Sequence, residues 1–177
     1  MITPKETWIQ KGYEIYALNG LESLKVEQLA KAVEVSKSSF YHYFADLECF
    51  LENLFDHHFK RFSVLSKKEA NCKSIHPELL DVLIEHKIDL LFHRQLRINR
   101  NDKGTEAALL RSSQILGNYG VMLWAKDINL KLTTNQLKGL FEIATEDFYM
   151  QIHKDNFHRK FLSEYFENLT RISNRFV

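Results

Sequence analysis

Between Val35 and Ala45 the chain gathers side chains that can touch a nucleic acid: Lys37, Ser38, Ser39, Tyr41, His42 and Tyr43. The stretch contains one lysine, one histidine and no acid, so it can approach phosphates without repulsion. A recognition helix must be short and must offer small or hydrogen-bonding side chains to base edges in the major groove. Lys37, Ser38, Ser39, His42 and Tyr43 can supply that surface. Tyr41 combines an aromatic body with a hydroxyl that can donate to a phosphate. Phe40 and Phe44, four residues apart, point the other way on a helix and anchor it.

Other chemistries find little support. His57 and His58 are adjacent and face different sides of a helix, while His86 and His93 lie two turns apart. Neither spacing makes a metal site. No Ser-His-Asp pattern, glycine-rich phosphate loop or HExxH motif occurs. Neither catalysis nor a metal or cofactor is expected. Arg94, Arg97, Arg100 and Lys103 form a basic run. It reads as a solvated loop, or as an entry for an anionic ligand or a second phosphate contact.

The elements that must hold the donor stretch are helical. A first helix runs from Pro4 to about Leu18, with Thr3 as N-cap and proline at the first helical position. Asn19-Gly20 ends it. A short helix over Val26–Val33 turns its Leu29, Ala30 and Val33 inward. Glu34 and Val35 make the turn, and Ser36 caps the next helix, which runs to Phe44. Helices this short are unstable alone, so Ala30, Val35, Phe40 and Phe44 are expected to be core. Asp46 caps a long helix to about Lys68. That sequence of elements is the layout of a helix-turn-helix DNA reader.

The same residues resemble the TetR (tetracycline-repressor-like) family over roughly residues 6 to 59. Ala17-Leu18-Asn19-Gly20, Leu29-Ala30, Val35-Ser36, Tyr41-His42-Tyr43-Phe44 and Asp46-Leu47-Glu48 stand at the family's spacing. The resemblance implies an N-terminal three-helix DNA-binding part and a C-terminal helical part that binds ligand and dimerises. It casts Tyr41 as the phosphate-contacting tyrosine, His42 and Tyr43 as backbone or base contacts, Lys37, Ser38 and Ser39 as the base-reading start of the third helix, and Lys25 as a further phosphate contact. Three positions depart from the family pattern: Lys25-Val26 where Thr or Ser is usual, Glu34 for a turn glycine, and Leu47 for a lysine. Each lost phosphate contact removes about 0.9 from the salt slope. A shallow slope and modest affinity are expected, and a dimer slope steeper than about −8 would contradict this.

The bulk numbers agree. At 177 residues the chain suits one large or two small packed units. It can bury about 70% of its unfolded surface, enough to fold without staples. Two prolines and six glycines are too few for the turns of an all-β fold. Cys49 and Cys72 lack paired spacing, which suits a reducing compartment. No signal peptide or membrane span is read, so a cytoplasmic protein is expected. Net charge is only +1, and residues 1 to 68 carry nine basic and nine acidic side chains. Charge placement, not excess, must serve any DNA binding.

Domain boundaries are expected at 1–48 for the DNA-binding part, with a helix over 47–68 connecting, and 69–177 for the regulatory and dimerisation part. Ala70 to His76 reads as the linker. One helix is expected over Pro77–Leu96, a loop over Arg97–Thr105, and a helix from Glu106 to about Ala125 kinked at Gly117 and Gly120. A helix capped by Thr133 or Thr134 and a last one over His158–Arg175 follow. Tyr119, Met122 and Trp124 around the kink suggest an apolar ligand pocket, with a filled core as the alternative.

The final two helices have wide stripes, and TetR-like proteins dimerise through theirs. Leu137, Phe141, Phe148, Leu162, Phe166 and Leu169 are thus the expected homodimer face. The whole reads as an all-α repressor of a palindromic operator, with double-stranded DNA as partner and release by a small apolar effector. The alternative is a helical dimer of the same fold that binds a protein partner or hydrophobic ligand without reading DNA.

Overall fold

The computed structural model describes residues 2–128 and 133–173. The expected reach of the last helix to Arg175 and Phe176 lies outside them. The described residues contain helices and no strand. α1 spans Pro4–Asn19, and Thr3 and Glu6 close a reciprocal capping box at its start. Gly20 follows at φ 82°, a conformation open to glycine. A 3₁₀ turn over Leu21–Ser23 leads to α2, Val26–Val33, and then α3, Lys37–Tyr41. α3 is shorter than expected, since the chain turns at His42 and Tyr43 and Phe44 lies beyond the helix.

α4, Leu47–Asn71, begins at Asp46, whose carboxylate accepts the Cys49 N–H at 2.8 Å. It runs past Lys68, so the linker begins later than expected. The single helix expected over Pro77–Leu96 is broken. An irregular turn over Ile75–Leu79 is followed by α5, Leu80–Glu85, and α6, Lys87–Ile98, with His86 between them. The basic stretch is largely helical, because α6 reaches Ile98 and α7, Lys103–Leu116, starts soon after. The kink falls at Gly117, which takes φ 68° and separates α7 from α8, Tyr119–Asp127. α9, Thr134–Gln151, opens on a Thr133–Gln136 capping box. α10 covers Arg159–Ser173.

Two compact units divide the chain. The first joins residues 1–62 to 88–114, and the second joins 63–87 to 115–177.

The first unit is built on aromatic rings and on one buried polar network. Tyr13 stacks on Phe92 of α6 at 4.3 Å between centroids. Its hydroxyl donates to Asp89 at 3.0 Å and lies 2.8 Å from His58 Nδ1. A phenol has one proton to give, so His58 Nδ1 is the donor in its contact. Arg61 grips Asp89 with Nε and Nη2, each at 3.0 Å. His93 lies within 3.1 Å of the buried Ser112 hydroxyl. Burial is the main reason the His58 imidazole falls to about 3 and the His93 imidazole well below its ordinary value.

In the second unit two side chains of α4 hold the break at Gly117. Ser66 donates to the Leu116 carbonyl at 3.2 Å, and the Glu69 carboxyl accepts from the Gly120 backbone. Glu69 is buried, and that burial pushes its carboxyl up to about 8. Tyr165 of α10 donates to the Ala144 carbonyl of α9 at 3.0 Å, and Trp124 Nε1 donates to Thr170.

Candidate nucleic-acid interface

The recognition segment is shaped from beneath. Phe40 is fully buried and meets Trp8, Phe44 and Phe50 at ring distances of 5.4, 5.1 and 5.4 Å. The contacts with Trp8 and Phe50 are edge-to-face and fix ring orientation beyond what burial alone does. Gly12 of α1 lets Phe50 approach: a Cβ there would lie 2.3 Å from the ring. α2 adds Val26, Leu29 and Ala30 to the same core. A five-residue helix has no stability of its own; Phe40 and Phe44 hold α3 to the rest.

The turn is set by backbone bonds. Val35 N–H donates to the Ala30 carbonyl at 3.0 Å and Glu34 N–H to Lys31 at 3.3 Å. This pair of bonds needs a left-handed residue after the helix, usually glycine. Glu34 takes that place at φ 61°. Such a conformation in a non-glycine residue costs on the order of 1 kcal/mol. Val35, expected in the core, is instead 43% exposed, because the turn directs it outward.

The candidate contacts divide accordingly. Lys25, Lys37, Ser38, Tyr41, His42 and Tyr43 are exposed, and Ser39 is half-buried. Tyr41 is 59% exposed and free to present its hydroxyl. Ser36 occupies the N-cap position but makes no cap bond; its hydroxyl pairs with Ser38 at 2.8 Å. Lys37 Nζ lies 2.5 Å from the Glu27 carboxylate. A contact between residues ten apart in the chain has no helical spacing to betray it in the sequence.

The other candidates are more dispersed. Trp124 is interior, whereas Tyr119 and Met122 face outward. Leu162 and Phe166 are buried within the chain; Leu137, Phe141, Phe148 and Leu169 are half-buried. The most exposed apolar residue of the last two helices is Ile143, at 70%, with Met150 and Ile172 also exposed. Among the described residues no group of His, Cys, Asp and Glu is placed to hold a metal ion. Nor is any described helix long and apolar enough to cross a membrane.

Comparison with known proteins bears on the fold and on the N-terminal segment. Residues 7–53 match the family of bacterial regulatory proteins, tetR family. No curated protein matches the chain. A crystal structure described as a TetR-family transcriptional regulator from Rhodococcus sp. is similar at 16% identity and a TM-score of 0.55, covering 94% of this chain and 98% of that one. The TetR-family transcriptional regulator from Cytophaga hutchinsonii is similar at 18% identity and 0.55, covering 96% and 92%. One from Mesorhizobium loti is similar at 12% identity and 0.51, covering 96% and 94%. At such identities the likeness is one of fold, and the family match is confined to residues 7–53. Over residues 7–53 the chain is thus similar to the tetR family of bacterial regulatory proteins, and its fold is similar to that of solved TetR-family transcriptional regulators.

Proposed function

We propose that this protein is a DNA-binding transcriptional regulator of the tetR family, a repressor that reads a palindromic operator as a homodimer and is released by a small apolar ligand. The observation that carries the reading is the exposed row Lys37, Ser38, Tyr41, His42 and Tyr43, backed by the buried Phe40 and Phe44. Residues 1–48 act as the reading head, the helix over 47–68 as the connection, and 69–177 as the regulatory and dimerisation part, in the cytoplasm. A single short head buries too little to find one site, and two heads on a two-fold axis require a palindrome. Ile143, Met150 and Ile172 on the last two helices, beside the half-buried Leu137, Phe141 and Leu169, support a partner helix there. The ligand acts by preferring one arrangement of the dimer; one that binds both equally shifts nothing.

The test is selection from a randomised duplex pool, followed by anisotropy on the chosen duplex with Tyr41→Phe alongside. The wild type should enrich a palindrome. Tyr41→Phe should weaken binding by about 1.5 kcal/mol per head, the value of a charge-assisted hydrogen bond, while melting unchanged. Enrichment of a single half-site, or a folded monomer at nanomolar concentration, would refute the dimer.

A further inference from the structure

Lys37 and Glu27 close an ion pair across the helix-turn-helix, with Nζ 2.5 Å from Oε1 and side chains 57% and 61% exposed. The hydrogen bond from Lys37 is the main cause holding the Glu27 carboxyl below the usual carboxylate range; its backbone N–H and the charges of Lys37 and Lys25 add to it. An ammonium paired with a carboxylate in this way is neutral in sum. A neutral pair releases no counterions from a phosphate, so it is a poor backbone anchor. Yet Lys37 opens α3, and the first residues of a recognition helix are those that meet base edges.

What such a pair can offer is a pattern. An ammonium has three N–H donors and Glu27 takes one; the carboxylate keeps acceptor capacity beyond Lys37. A donor beside an acceptor complements the major-groove edge of a G·C pair, where guanine O6 and N7 accept and cytosine N4 donates. An A·T pair in that orientation sets the carboxylate against thymine O4 and the methyl group, an acceptor against an acceptor. Exposed acids on a DNA-facing surface are otherwise a pure loss through repulsion. We propose that the Lys37–Glu27 pair reads one G·C base pair in each operator half-site, Lys37 donating to guanine and Glu27 accepting from cytosine N4. This rests on the DNA-reading function argued above.

The test is duplex-pool selection with full-length wild type, Glu27→Gln and Lys37→Ala, followed by competition between the chosen duplex and its G·C→A·T version. The wild type should fix a G·C pair at one position per half-site. Its replacement should cost roughly fivefold to 150-fold in affinity. Glu27→Gln, whose amide donates as well as accepts, should lose that preference and keep the rest of the site. Both side chains are exposed, so folding is not at stake, and thermal melts of the variants should match the wild type. An operator with no fixed G·C pair overturns the proposal. So does a Glu27→Gln protein that keeps the preference while binding every duplex more tightly, with a salt slope steeper by about one per head; Glu27 would then merely repel phosphate. Failure of the wild type to enrich any sequence at low salt would sink the DNA-reading function instead.

Discussion

The phenol of Tyr13 and the carboxylate of Asp89, 76 residues apart in the chain, meet at 3.0 Å in the interior of the first unit. Asp89 is almost wholly buried, and its charge is tolerable because Arg61 engages both carboxylate oxygens. Asp89→Ala removes the acceptor for Tyr13 and the counterion for Arg61 together. Arg61 is partly exposed and can rehydrate, which limits the cost. A loss of about 2–3 kcal/mol is expected, read from the midpoint of urea unfolding. A loss below about 0.5 kcal/mol, the range of ordinary surface changes, would show that the network is dispensable.

His58 and His93 set the acid limb of stability. Both are held neutral when folded, below their ordinary value, and recover that value when the chain unfolds. The unfolded state then binds more protons as pH falls, so stability is full above about 6.5 and declines toward 3. The slope is at most about 1.4 kcal/mol per pH unit for each imidazole. For His58, Asp89 opposes the shift and His57 reinforces it. His58→Gln should flatten this limb, measured as the urea midpoint between pH 6.5 and 4.

Glu69 has the opposite sign. Its carboxyl keeps a proton up to about 8 when folded and loses it near its ordinary 4.5 when unfolded. The stabilisation is complete below about 4.5 and fades as pH rises toward 8. Glu69→Gln stays neutral at every pH and still accepts from the Gly120 N–H. It should be more stable than the wild type at pH 8 and close to it at pH 4.5. An identical pH profile in the two proteins would refute the buried acid.

Gly12→Ala tests the floor beneath the recognition segment. The added methyl meets Phe50 Cζ at 2.3 Å, and that ring is itself locked against Phe40 and Phe44. Overpacking of this kind costs about 1–3 kcal/mol. Because Phe40 is the side chain that seats α3, operator affinity should fall along with stability. Lost stability with unchanged affinity would mean that Phe50 relaxes away from α3.

Local features were the legible part of this fold. Caps are short-range, so Thr3, Asp46 and Thr133 marked their helices, and Gly117 marked the break between α7 and α8. The break at His86 carries no glycine or proline, and helical periodicity runs straight across it. Val35 read as core by type, but the outward turn at Glu34 decided its position. The exposed donors of α3 were readable because Phe40 and Phe44 fix its inner face. Contacts between elements, such as Lys37 with Glu27 and Tyr13 with Asp89, have no signature in spacing.

The first unit is assembled from two separated pieces of chain, residues 1–62 and 88–114. A growing polypeptide therefore makes the reading helices well before it makes the rest of their core. At about 5–20 residues per second, residues 63–114 need roughly 3–10 s to follow. Throughout that interval Tyr13 and Tyr16 lack Phe92, the ring each packs against when the unit is complete. A nascent chain at this stage exposes aromatic surface for a chaperone to cover. Expressing residues 1–62 alone would make that transient condition permanent and yield a species prone to aggregate.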